Sequence, residues 1–240
     1  MFRKNGILFR KIEPEDVEAL VKFMMENLPK TSSICRALQF EQEDYEAMYI
    51  PRIAESIPSN ISVLAIDESI GEIVGYHLDN YYYRDPAKNP PNKPKKTAKA
   101  QILASLSESL RNEFWKVCPP EVQCVVRGES SCTRKDYQRR GIGETFIQMM
   151  LDDSSSDKKV SGGMAASTSL PNQVLCRKIG FLDMAEVSYK ELFEANGIPF
   201  EGAFKDGTTK CVLQFRPNSD ELQKKTLLRL KEREVAKSKL

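Results

Sequence analysis

The residues whose types and spacing point most directly to chemistry are Gln138-Arg139-Arg140-Gly141-Ile142-Gly143, followed at once by the apolar, helix-patterned run from Glu144 to Leu151. They stand where a strand-like segment ends and a helix begins. A helix start offers unpaired N–H groups and a partial positive charge, and two glycines let backbone amides approach a ligand that a Cβ would hold off. Such a turn suits phosphate oxygens; the alternative is an ordinary strand-to-helix connection with a polar N-terminus. It is not a P-loop, because no Gly-Lys-Ser/Thr follows, and it fits the dinucleotide Gly-x-Gly-x-x-Gly pattern poorly. Arg139 and Arg140 can neutralise phosphate charge, and one of them can equally face solvent.

Other reactive residue types are sparse. The single histidine, His77, cannot build the usual metal or triad sites and reads as a hydrogen-bonded strand residue. Six cysteines (35, 118, 124, 132, 176 and 211) include no Cys-x-x-Cys pair, which argues for reduced thiols in the cytosol and against a disulfide framework or a metal site. The net charge of +2 gives no broad electrostatic case for nucleic acid. No apolar run of about 18 residues suggests a membrane span, and Met1 to Asn5 leads straight into strand-like Ile7-Leu8-Phe9 without a signal-peptide core. A cytoplasmic enzyme with a full hydrophobic core is the expectation for 240 residues at 40% hydrophobic content.

The elements that must position the turn alternate between strand and helix patterns. Ile7 to Ile12 reads as a strand, and Pro14-Glu15-Asp16 opens a helix with Val17, Leu20, Val21, Met24 and Met25 on one face. Gln42 to Ile57 reads as a helix closed by Pro58-Ser59-Asn60, and 61–66 with 72–78 as a hairpin across Asp67 to Gly71. The proline- and lysine-rich stretch 84–99 is expected to be a mobile, solvated loop. Ala98 to Val117 follows as a helix with Ile102, Leu103, Leu106, Leu110, Phe114 and Trp115 facing the core. Val122 to Thr133 is strand material interrupted at Gly128. After the glycine turn and its helix come a strand (160–167), a helix (172–179), a strand (181–191), turns at Asn196-Gly197 and Asp206-Gly207, and a last strand (209–215). The order β-α-α-β-β-α-β-α-β-α-β-β indicates a mixed α/β fold over 1–216, with 217–240 as a charged tail, helical, solvated and partly frayed.

The motif Gln/Arg-x-x-Gly-x-Gly/Ala after a strand resembles motif A of the GCN5-related N-acetyltransferases (GNATs). Gly71-Glu72-Ile73-Val74-Gly75, the helix through Phe114 and Pro119, Tyr137 to Gly143, and Arg177-Lys178-Ile179-Gly180-Phe181 extend the likeness to the invertebrate arylalkylamine and dopamine acetyltransferases, over roughly 6–216. The resemblance implies the GNAT fold, a mixed central sheet flanked by helices. It implies acetyl-CoA as co-substrate with its pyrophosphate on Gln138, Arg139, Arg140, Gly141, Ile142 and Gly143, and no metal.

It implies further roles residue by residue. Acetyl transfer needs a neutral amine, although an alkylamine has a pKa near 10.4, like lysine. Glu26, in Glu26-Asn27-Leu28-Pro29 at the expected end of the first helix, aligns as the general base, with Glu129 and Asp79 as other carboxylates to weigh. Backbone N–H groups near Cys132 and Thr133 align with the strand that receives the developing oxyanion, although Ser130-Ser131-Cys132-Thr133 is more polar than relatives are there. That polarity fits extra bonds to the pantetheine arm or a degraded site. Cys176 stands where many relatives place a tyrosine acid, and reads as a buried structural thiol. Thr168 keeps one of two family hydroxyls, and Asn172 replaces the other. Tyr81-Tyr82-Tyr83 either packs a strand or lines a pocket for an aryl amine. The expected reaction is direct acetyl transfer to a small primary amine, with no nucleic-acid or membrane partner and a homodimer as a possible assembly. The alternatives are a protein or peptide acceptor and a catalytically idle acyl-CoA-binding module.

Overall fold

The computed structural model describes residues 1–91 and 93–237; Asn92, in the 84–99 stretch, and 238–240, in the charged tail, lie outside them. In chain order the strands are β1 (Phe2–Lys4), β2 (Ile7–Lys11), β3 (Val63–Asp67), β4 (Glu72–Tyr83), β5 (Cys124–Thr133), β6 (Gly162–Ser167), β7 (Leu182–Ser188) and β8 (Lys210–Pro217). The helices are α1 (Val17–Thr31), α2 (Ser33–Ala37), α3 (Gln42–Ser56), α4 (Ala98–Val117), α5 (Ile142–Ser156), α6 (Leu170–Lys178), α7 (Tyr189–Ala195) and α8 (Asp220–Lys237). The strands form one open sheet in the order β1-β2-β3-β4-β5-β6-β8-β7. The chain divides into two compact units, one of 1–80, 90–104 and 128–150, the other of 81–89, 105–127 and 151–240, with β4, β5, α4 and α5 running through both.

The first unit starts with a hairpin that the sequence pattern did not reveal. Asn5 and Gly6 both have positive φ (51° and 75°), the geometry a tight hairpin turn requires, so β1 folds back antiparallel on β2 with Lys4 opposite Ile7. All three residues of β1 are exposed, which is why hydrophobic patterning misses it. A single 3-10 turn at Pro14–Asp16 precedes α1, held by a capping box between Glu13 and Asp16 and by Arg10, which donates twice to the Asp16 carboxylate at 2.6 Å. The buried stripe of α1 is Leu20, Phe23, Met24, Asn27 and Leu28; Val17, Val21 and Met25 lie at its margin instead of in its centre. The helix does not stop near Glu26 but runs on through Pro29 to Thr31, where Ser32 caps the short α2. The hairpin of β3 and β4 is present with the expected turn, and β5 continues unbroken through Gly128.

In the second unit, residues 84–89 are more fully hydrogen-bonded than their composition suggests. Pro86–Lys88 makes a 3-10 turn, and Asn89 both accepts from the Tyr83 N–H and donates to its carbonyl, each at 2.8 Å. Arg84 donates to the carbonyls of Trp115, Cys118, Pro119 and Val122, satisfying acceptors at the C-terminal end of α4. Strand β7 ends at Ser188, whose hydroxyl caps α7, so residues expected to continue the strand turn into a helix. The tail is also better anchored than its weak apolar stripe implied. Thr226 is fully buried, Arg229 donates to the Lys116 and Val117 carbonyls, and Arg233 donates to the Met184 carbonyl and pairs with Glu113 at 2.7 Å. No described helix is long and apolar enough to cross a membrane.

Candidate functional site

Every residue expected to act in catalysis or cofactor binding falls within the first unit. The glycine-rich turn is fixed from behind by an apolar layer. Phe146 and Ile142 of α5, with Tyr137 before it, pack on Ile7 and Phe9 of β2, Val63 and Ala65 of β3, and Val74 of β4. Gly75 suits that packing, since a Cβ there would lie a tight 3.1 Å from the Cys132 carbonyl and 3.2 Å from the Phe146 ring. Burying this helix face against the sheet aims the N-terminus of α5 at the end of β5.

The turn itself is backbone architecture. After a single 3-10 turn at Lys135–Tyr137, Arg139 and Gly141 take positive φ (65° and 81°), a conformation that glycine accepts freely and arginine at some cost. The Thr145 N–H bonds the Gly141 carbonyl at 3.0 Å as the helical ladder begins. The amides of Ile142 and Gly143 therefore belong to the first turn, which an α-helix leaves without intrahelical acceptors. Gln138 reaches back to the Thr133 carbonyl at 3.2 Å and so braces the turn against β5. Helix-start amides, a left-handed glycine with only the Lys4 ammonium near its Cβ position, and basic flanks form a donor set that fits a diphosphate.

The two arginines divide. Arg140 stacks on the Tyr137 ring at 4.4 Å and donates to the Asp136 carbonyl. Arg134 covers the same ring, also at 4.4 Å, and pairs with Asp136 and Glu72. The Tyr137 hydroxyl donates to Asp67 at 2.7 Å; this bond and, more strongly, the Ser69 hydroxyl hold the Asp67 carboxyl down at about 2. Arg140 is thus a structural brace, whereas Arg139 is exposed and has no hydrogen bond or ion pair among the described residues.

The polar strand resolves into internal ties. The Ser130 hydroxyl lies 2.8 Å from the Tyr76 hydroxyl, Ser131 donates to the Tyr76 carbonyl at 3.3 Å, and the Cys132 thiol lies 3.2 Å from the Thr31 hydroxyl. Burial pushes the Tyr76 phenol well up and the Cys132 thiol to about 11, so both are neutral donors near pH 7. The Thr31 contact brings the last turn of α1 against β5. Thr133 is half-buried and contributes its carbonyl to Gln138. The nearby Tyr49 hydroxyl lies 3.3 Å from the buried Cys35 thiol, and Arg52 spans from the Tyr49 ring to the Glu129 carbonyl. Tyr76, Thr31 and Tyr49 carried no motif and were not legible in the sequence.

Glu26 is exposed on α1, more than a turn before Thr31, and makes no hydrogen bond or ion pair with the described residues. The α1–α2 junction, Thr31 to Ser33, bears three hydroxyls and no carboxylate. The other two carboxylates differ. Asp79 is 1% exposed and lies 3.1 Å from His77, itself stacked on Phe146, yet the contact is poorly aligned and none of the four side-chain polar atoms has a well-formed hydrogen bond. Glu129 lies on β5 beside these ties.

In the second unit, Tyr82 stacks on Trp115 and is covered by Arg127, which makes it a packing residue. Cys176 is buried against the Ser167 hydroxyl, with its thiol pushed up by burial, as a structural cysteine should be. Thr168 offers its carbonyl to Tyr189, and Asn172 is exposed. No group of three or more metal-ligating side chains occurs among the described residues.

Solved structures share this fold over most of the chain. The protein named arylalkylamine N-acetyltransferase 7, of the yellow fever mosquito Aedes aegypti, superposes with a TM-score of 0.76 at 14% identity, over 89% of this chain and 88% of that one. The fold is that of the GNAT acyltransferases. The Drosophila melanogaster polyamine N-acetyltransferase, which forms N-acetylagmatine, gives a TM-score of 0.63 at 12% identity over 88% and 98% of the two chains. Arabidopsis thaliana NAA60, solved with acetyl-CoA, gives 0.51 at 16% identity over 88% and 98%. No family model and no curated protein sequence matches this chain.

Proposed function

We propose that this chain is an acetyl-CoA-dependent N-acetyltransferase whose acceptor is a small primary amine, an arylalkylamine first among them. The observation that supports this most is the Arg139–Gly143 turn, set between β5 and α5 in a fold shared with amine acetyltransferases. Bound there, acetyl-CoA supplies an activated acetyl thioester, with its pyrophosphate on the Ile142 and Gly143 amides and Arg139. Backbone N–H groups near Cys132 and Thr133 receive the charge that develops on the carbonyl oxygen. Ser130, Ser131 and the Cys132 thiol beside them are neutral and internally bonded. Glu26, an unpaired carboxylate on the helix that reaches Cys132, takes the amine proton through solvent.

Calorimetric titration of acetyl-CoA into the purified protein tests the reading, followed by mass-spectrometric detection of acetylated arylalkylamines, polyamines and peptides. One-to-one micromolar binding with an acetylated small amine is the expected result. Acetylated peptide alone would move the acceptor class, binding without amine-dependent CoA release would leave an idle module, and absence of binding would remove the cofactor.

A further inference from the structure

The N-terminal hairpin contributes nothing to the core, since every residue of β1 is exposed, yet it is pinned in place. The tight Asn5-Gly6 turn sets its register, and Arg3 pairs with Glu68 at 2.9 Å. Its last residue, Lys4, projects across to the phosphate turn. Lys4 Nζ lies 3.5 Å from the Thr145 hydroxyl and 3.8 Å from where a Cβ on Gly141 would stand. A hydroxyl is its only polar partner, and among the described residues no carboxylate pairs with it.

That position is unfavourable for a cation in the free protein. The start of α5 already carries the positive end of the helix dipole, where anions are stabilised and cations are not. The exposed Arg139, two residues before Gly141, is equally unpaired. An anion seated on the turn removes the conflict, since it would gain from the amides, the dipole and the ammonium together.

We propose that Lys4 is a phosphate-binding residue, supplied from the N-terminal hairpin and directed at the diphosphate of the acyl-CoA, not at the 3′-phosphate of its ribose. Lys4 reaches the Cβ side of Gly141 and the Thr145 hydroxyl, beside the first turn of the helix on whose amides the diphosphate is proposed above to sit. The inference rests on the acetyl-CoA reading above but can fail separately from it.

The test is calorimetry of acetyl-CoA, dephospho-CoA and acetyl-pantetheine against the wild type, Lys4→Met and Lys4→Arg at two salt concentrations. Lys4 is exposed on an edge strand, so the variants should fold, and melting curves verify this. Lys4→Met should weaken acetyl-CoA and dephospho-CoA alike, by roughly 5- to 20-fold for a lost charge-assisted bond, with a shallower salt dependence. Acetyl-pantetheine should be unaffected and Lys4→Arg should recover most of the affinity. Unchanged binding by Lys4→Met, or a loss confined to acetyl-CoA with dephospho-CoA untouched, would overturn the assignment. A wild type that binds no acetyl-CoA would instead bring down the functional reading itself.

Discussion

The turn that opens α5 and the strand that leads into it lie side by side in one unit, but they encode function differently. The turn is built from main-chain conformation: a left-handed glycine at 141, helix-start amides at 142 and 143, and a packed helix behind them. Its side chains are largely support, as Arg140 on Tyr137 shows. The strand's Ser130 hydroxyl and Cys132 thiol are bonded to the side chains of Tyr76 and Thr31. Backbone-made function tolerates sequence drift as long as its few glycines persist. Side-chain-made function leaves no such trace.

The comparison breaks most sharply if the turn is not the cofactor's seat. Gly143→Glu places a carboxylate where the proposed diphosphate would sit, and like-charge contact costs several kcal/mol. We expect acetyl-CoA affinity to fall about 10²-fold or more, with the melting temperature little changed. Retained affinity by calorimetry would move the phosphate site away from α5.

Legibility in the sequence follows the same division. Helix α4 was read with its observed ends, because its apolar period is long and uninterrupted. The β3–β4 hairpin and the helix after the glycine turn were also legible. Strand β1 was not, since three exposed residues held by a turn carry no hydrophobic pattern. Helix α7 was hidden because Ser188 reads as strand until its capping role is seen. The end of α1 was misplaced because Pro29 suggests a stop, whereas the helix accommodates it and continues to Thr31. Within the site, the turn was legible from glycine spacing, whereas the Tyr76–Ser130 and Thr31–Cys132 contacts join residues 54 and 101 positions apart. Only folding brings these together.

Glu26 sharpens the comparison from the acceptor side. Glu26→Ala should leave acetyl-CoA affinity unchanged while lowering kcat about 10²-fold, the usual size of a lost general base. Steady-state rates at saturating amine, measured from pH 6 to 9, provide the check. Because Glu26 is exposed and its helix runs five residues further, an unaltered kcat would transfer the proton to solvent and leave the acceptor side without a dedicated carboxylate.

The smallest expected effect concerns the polar strand. If Ser130 and Tyr76 serve to tie β5 to β4, they should be coupled to each other and not to the ligand. Tyr76→Phe and Ser130→Ala should each destabilise the fold by about 1–2 kcal/mol, since the second leaves the buried Tyr76 hydroxyl, and the first the half-buried Ser130 hydroxyl, short of its partner. The double variant should lose less than their sum, because no orphan remains. Chemical denaturation of the four proteins measures the coupling, and calorimetry of each with acetyl-CoA should return one affinity. Additive stabilities with a weakened affinity would reverse the assignment: the hydroxyls would then face the pantetheine arm, and the strand, like the turn, would belong to the cofactor.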